Sequence, residues 1–144
     1  KRFIRTKELW SADWKIPRRA RRVSSKVRIT NIEWWMKEFD LKSRTKSFAL
    51  RIIKLFASLP KTPVAQVIGK QILRSGTSVG AQYREACRAR SNSEFISKVQ
   101  SSLQELDETA YWLELLVDGG MVKAEKLSGL QKETDELIAI LSHR

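Results

Sequence analysis

The chain has 144 residues, with 28 lysines and arginines against 16 acidic residues, a net charge of +12 and an isoelectric point near 10.2. That length is enough for one domain with a buried core plus an arm, and the charge favours an anionic partner. A single cysteine, Cys87, and a single histidine, His143, exclude an internal disulfide, a tetrahedral metal site and a Cys/His or Ser/His/Asp catalytic set. No apolar run reaches the length of a membrane span or a secretory signal, so a soluble, cytoplasmic protein without cofactor or metal is expected.

Charge is concentrated at the start. Through Lys37 there are twelve basic residues against Glu8, Asp13 and Glu33. Residues 1–35 contain Trp10 and Trp14 but no sustained apolar period, and Pro17 interrupts any helix there. Two readings of this arm stay open: a tail that contacts phosphates and stacks on bases, or a solvated or partner-docked extension. Met36 is the first methionine, and translation starting there would make residues 1–35 non-native. The domain boundary is therefore placed between 35 and 36.

From Leu41 the pattern turns helical. Leu41, Thr45, Phe48, Ile52, Leu55, Phe56 and Leu59 make one stripe, with Asp40 or Ser43 as N-cap and Pro60 as the stop. Thr62 before Pro63 restarts the chain, a capping hydroxyl followed by a proline in the first helical turn. The helix it launches runs towards Arg90 and has two unlike faces. Ile68, Ile72, Ser75, Val79, Tyr83 and Ala86 fall on one side, and Lys70, Arg74, Thr77, Ala81, Arg84 and Arg88 on the other. Ser75, Gly76, Ser78 and Gly80 are small enough to admit another backbone.

Ser91 with Glu94 has capping-box spacing, and Ser93 is the alternative cap. The third helix puts Phe95, Val99, Leu103, Leu106, Ala110, Leu113 and Val117 on one face and ends at Asp118-Gly119-Gly120. Tyr111, Trp112 and Leu115 point away from that face. They are read as an oligomer interface together with Ser75, Gly76, Ser78 and Gly80, or as surface aromatics of a monomer. A last helix from about Val122 carries Leu127, Leu130, Thr134, Leu137, Ile138 and Leu141. Four amphipathic helices with short turns predict an all-α, up-down-up-down four-helix bundle preceded by the basic extension.

Four co-ordered segments carry a family resemblance: FDLKSRTKSFALRIIKLFASLPKT at 39–62, VIGKQILRSGTSVGAQYREACRARS at 67–91, EFISKVQ at 94–100 and LDETAYWLELL at 106–116. Over residues 36–141 the chain resembles the four-helix bundle proteins first associated with intervening sequences in bacterial large-subunit ribosomal RNA genes. Gln82 stands where that motif usually carries Asn. The resemblance implies a small bacterial homopentamer with no established enzymatic activity. It also implies kinship with accessory subunits of diversity-generating retroelements, whose partners are nucleic acid and a reverse transcriptase.

For chemistry, Lys70, Arg74, Arg84 and Arg88, joined by Arg90 and Lys98 across the turn, form a candidate phosphate-binding stripe. The competing reading pairs Arg74, Arg84 and Arg88 with Glu85, Glu105, Glu108 or Glu114 of neighbouring subunits. Adjacent carboxylates such as Asp107-Glu108 and Asp135-Glu136 diverge by roughly 100° on a helix and do not converge on a substrate, so no catalytic residue is assigned. The expected function is non-enzymatic binding of RNA, DNA or a ribonucleoprotein by an oligomer, with a protein-interaction scaffold or accessory subunit as the alternative.

Overall fold

The computed structural model describes the backbone of residues 25–142 and the side chains of residues 40–142. The expected arm through residue 24, with Trp10, Trp14 and Pro17, lies outside the described residues, as does His143. The chain divides into two units, Lys1–Lys37 and Glu38–Arg144. The described residues form four helices: α1 (Ser25–Ser58), α2 (Pro63–Ala86), α3 (Asn92–Asp118) and α4 (Ala124–Ser142).

α1 starts earlier than the stripe from Leu41 suggested. Between Pro17 and Pro60 the sequence holds neither proline nor glycine, so nothing forces a break before Leu41. Asp40 and Ser43 are both helical residues and not caps. A cap-forming side chain inside a helix costs only about half a kcal/mol of propensity, too little to stop it.

The other boundaries follow their capping chemistry. Thr62 is extended, and its hydroxyl accepts the Ala65 N–H at 3.4 Å while Pro63 occupies the first turn of α2. Ser91 caps α3 by accepting the Glu94 N–H at 3.1 Å; the Glu94 carboxylate reaches back to the Arg90 N–H at 2.7 Å. At the end of α3, Gly120 adopts φ 67°. Its N–H bonds the Val117 carbonyl at 2.9 Å and the Met121 N–H bonds the Leu116 carbonyl at 3.0 Å, the paired bonds of a Schellman stop.

Cross-helix partners define the packing. Arg74 meets Glu108 while Ser102 bonds the Val79 carbonyl, so numbers rise on α2 as they fall on α3. Gly76 lies against Ile52 and Gly80 against Thr45, which makes α1 and α2 antiparallel too. Arg44 bonds Glu133, and Arg51 reaches Gly129, closing α4 onto α1. The result is the expected up-down-up-down bundle, with α1 and α3 on opposite corners. Phe48, Ile52, Ile72, Tyr83, Leu106 and Leu113 fill its centre.

α3 presents a slightly different face to that centre than apolar periodicity alone marks out. Val99, Ser102, Leu106, Thr109, Leu113 and Leu116 are buried, whereas Phe95, Leu103, Ala110 and Val117 are only half-buried. Ser102 and Thr109 can sit inside because their hydroxyls find acceptors. Ser102 donates to the Val79 carbonyl at 2.6 Å. Thr109 lies 2.7 Å from the Glu105 carbonyl and 2.8 Å from the Ser75 hydroxyl, which itself donates to the Gln71 carbonyl at 3.0 Å.

The α1–α2 seam depends on missing side chains. A Cβ at Gly76 would stand 2.7 Å from Ile52 Cγ1, and one at Gly69 would stand 2.6 Å from Leu59 Cδ1. Gly76→Ala is expected to lose about 1–2 kcal/mol in urea denaturation, overpacking against fully buried Ile52 exceeding the helix propensity gained. Gly129→Ala serves as the control, because its new Cβ meets only the mobile end of Arg51, at 3.3 Å. It is expected to gain about 0.5–1 kcal/mol. Equal shifts for the two variants would remove the close approach as the reason for glycine at 76.

Candidate nucleic-acid interface

Because α2 is gripped by α1 on one flank and α3 on the other, its remaining face is fixed outward. Lys70, Arg74 and Arg84 are exposed along it; α2 ends at Ala86, short of the run towards Arg90 that its sequence suggests, so Arg88 and Arg90 are exposed in the turn that follows. Arg84 occupies the last turn of α2, where the carbonyl end of the helix dipole favours a cation. The turn itself is tightened by Arg88 N–H to the Glu85 carbonyl and Ala89 N–H to the Ala86 carbonyl, each 2.9 Å. Arg84, Arg88 and Arg90 are thereby gathered at one end of the bundle.

The six stripe residues do not share one electrostatic state. Arg74 is engaged within the protomer: it bonds Glu108 and lies 3.6 Å from Glu105. The hydrogen bond to Glu108 is the main cause that raises the Arg74 pKa, and the same bond, seconded by the Trp112 indole, lowers that of Glu108. Lys98 pairs with Glu85 at 2.5 Å. Lys70, Arg84, Arg88 and Arg90 form no side-chain ion pair among the described residues. Glu105 and Glu108, which the competing sequence reading paired with arginines of a neighbouring subunit, thus serve Arg74 of their own chain.

Two polar atoms on the α2–α3 seam stay without a hydrogen-bond donor, Gln82 Oε1 and Glu105 Oε2, although both are buried. Gln82 therefore forms no hydrogen bond through its oxygen. Elsewhere Glu108 and Glu136, one from each adjacent carboxylate pair, are bound by Arg74 and Arg44. Arg44 holds Glu133 through two nitrogens, at 2.7 and 3.1 Å, and the bond to Glu133 chiefly raises its already high pKa. Among the described residues no group of histidine, cysteine or carboxylate side chains could hold a metal ion.

The small residues of α2 lie mostly inside the protomer. Ser75, Gly76 and Gly80 are buried, Gly76 and Gly80 against α1 and Ser75 against Thr109 of α3. Ser78 is half-buried, its hydroxyl bonded to the Arg74 carbonyl at 2.8 Å. On α3, Tyr111 is 54% exposed, while Leu115 is half-buried. Trp112 is half-buried at the core's edge, its indole N–H donating to Glu108 at 3.0 Å and its ring 5.2 Å from that of Tyr111. Arg74, Glu108, Trp112 and Tyr111 form one continuous surface cluster.

A second exposed apolar ridge lies on α1, where Leu50 and Ile53 are 49% and 45% exposed. It escapes a reading by core periodicity because those residues fall in the same helix as the core stripe, displaced towards the opposite side. The available signal is their register with Lys46 and Lys54, four residues to either side of Leu50.

Residues 37–143 match the family described as 23S rRNA-intervening sequence protein. The chain belongs to that family. A solved structure of a protein of unknown function from the S23 ribosomal protein family of Bacteroides thetaiotaomicron is 38% identical and superposes with a TM-score of 0.70. The match covers 74% of this chain and 96% of that one. Among curated proteins, none matches. The 23S rRNA-intervening sequence protein match therefore coincides with the bundle and leaves residues 1–36 outside it. No helix among the described residues is long and apolar enough to cross a membrane.

The Arg74–Glu108 pair sets a pH signature. Glu108 titrates below its ordinary range when folded, so its contribution to stability is fully present above the unfolded carboxylate pKa of about 4.3 and is lost as pH falls through the lowered value. The urea midpoint of Glu108→Gln is expected to fall below that of the parent at pH 7, with the gap closing as pH drops below about 4. Identical midpoints at neutral pH would show that the pair adds no stability.

Proposed function

We propose that this family member is a non-enzymatic homo-oligomer that binds the phosphate backbone of RNA or DNA, without reading bases, through the outward face of α2. One observation carries this reading: Lys70, Arg84, Arg88 and Arg90 are exposed and their side chains form no ion pair among the described residues. Uncompensated cations on a rigid element are what a phosphate contact needs, and repetition of the stripe around an assembly would multiply the local field. Arg74 and Lys98, already paired, contribute less. An α2 packed into a bundle, with Lys70 and Arg84 on its outward face, supplies no recognition helix placed to enter a groove, which fits sequence-tolerant contact. The assembly implied by the resemblance is a ring of five copies in the bacterial cytoplasm.

The alternative is an accessory scaffold whose partner is a protein, such as a reverse transcriptase. Its support is the cluster of Arg74, Trp112 and exposed Tyr111, since arginine and aromatic side chains dominate protein interfaces. The two readings differ in salt response. With the full chain, Arg84, Arg88 and Arg90 all changed to alanine should weaken binding to duplex DNA and reduce the slope of log affinity against log salt by about 2–3, close to one per lost phosphate contact. An unchanged slope and affinity, with circular dichroism confirming the fold, would remove this face from nucleic-acid binding and favour the scaffold.

A further inference from the structure

The bundle is electrically two-sided. Residues 41–90, which supply α2 and the bundle part of α1, contain eleven lysines and arginines and one acid, Glu85. Residues 91–142, which supply α3 and α4, contain ten acids and four lysines. From Leu41 to Arg84 there is no acidic residue at all. Cross-helix pairs such as Arg44–Glu133 and Arg74–Glu108 use only part of this opposition.

The unused remainder sits on two outward faces. On α1, Lys46, Leu50 and Lys54 follow one another at four-residue intervals with Ile53 beside them, and all four are exposed. On α3, exposed Asp107, Tyr111 and Glu114 follow at intervals of four and three. Beside Glu114 a groove of about 230 Å³ opens between α3 and α4, lined by Ala110, Glu114, Gln131, Thr134 and Asp135. Lys46, Lys54, Asp107 and Glu114 take part in no ion pair among the described residues.

We infer that the cationic α1 ridge of one copy docks on the anionic α3–α4 face of the next, Leu50 and Ile53 meeting Tyr111 and the groove while Lys46 and Lys54 meet Asp107 and Glu114. This rests on the reading of the chain as a homo-oligomer and deepens it by assigning which surfaces meet. The charges select the arrangement. Pairing α1 with α1 sets lysine against lysine, and pairing α3 with α3 sets carboxylate against carboxylate; only α1 on α3 is complementary. Since α1 and α3 occupy opposite corners of the bundle, the contact is head-to-tail and cannot be two-fold. Such a contact closes into a ring or propagates as a filament. Apolar side chains between the lysines suit a protein surface better than a phosphate backbone.

The test uses the full chain and light scattering over a concentration series, with circular dichroism as a fold control. Lys46→Glu with Lys54→Glu, and separately Asp107→Lys with Glu114→Lys, should each raise the dissociation midpoint by at least about tenfold. All four changes in one chain should restore the parental mass, because the reversed faces again match. The milder Lys46→Gln with Lys54→Gln should move assembly in the same direction by less, and serves if a reversal variant fails to fold. Parental mass in both reversal variants, or no recovery in the fourfold variant, would overturn the assignment. So would an intact oligomer that loses nucleic-acid affinity on changing Lys46 and Lys54, which would make the ridge a phosphate contact. A parental chain that is monomeric at every concentration would instead overturn the underlying oligomer reading.

Discussion

The arrangement of this protein depends on α2 being held from two sides by different chemistry. Towards α1 it offers absence: Gly69, Gly76 and Gly80 leave room for Leu59, Ile52 and Thr45. Towards α3 it offers hydrogen bonds, with Ser75 meeting Thr109 and the Val79 carbonyl accepting from Ser102. The glycine seam sets how close the helices come, because a Cβ at two of these positions would fall within 3 Å of a packed side chain. The hydroxyl seam sets register and rotation, because a one-residue slide would strand buried donors. With its rotation set on both flanks, α2 can hold its cations outward without any of them having to be tethered.

Much of this was legible from local chemistry. Thr62-Pro63, Ser91 with Glu94, and the glycines after Asp118 are short-range signals whose hydrogen bonds form within a few residues, so tertiary context has little chance to override them. The core stripe of α2 was equally plain because Ile72, Val79, Tyr83 and Ala86 repeat at helical spacing. The start of α1 was not, since helix propagation through Asp40 and Ser43 needs only the lack of a breaker and leaves no positive mark. Ser102 and Thr109, being polar, carry no apolar signal in the sequence. Only their partners across the seam, 23 and 34 residues away, make their burial possible.

The candidate site was legible in membership more than in state. Periodicity places Lys70, Arg74, Arg84 and Arg88 on one helical face; all four are exposed, although Arg88 lies in the turn past the end of α2. It does not say that Glu108, on another helix, takes Arg74, or that Glu85 and Lys98 satisfy one another. Likewise the small residues of α2 signal a close approach without naming the partner. Gly76 and Gly80 approach α1 of the same chain, so their size is spent inside the protomer. Pairings of this kind depend on rotation and register between helices, which are decided by the whole core.

Net charge is a poor guide to what a partner of this bundle meets. Neighbouring helix axes stand about 8–10 Å apart, so outward faces on opposite corners are separated by roughly 20 Å once side chains are counted. The screening length at physiological ionic strength is about 8 Å. A phosphate backbone approaching the outward face of α2 is therefore largely shielded from the carboxylates on the far side of α4, whereas Glu94 and Glu108 of the adjacent α3 lie close to it. The anionic half can then be satisfied separately. Were both halves evenly mixed, the cations of α2 would find carboxylates nearby, as Arg74 does, and would pair with them before any phosphate arrived. With residues 41–84 free of acid, only carboxylates from outside that segment can pair with its cations, as Glu105 and Glu108 do with Arg74, and a cationic surplus remains. Charge segregation along the chain thus leaves unpaired cations on the α1–α2 side and unpaired carboxylates on the α3–α4 side of one small bundle.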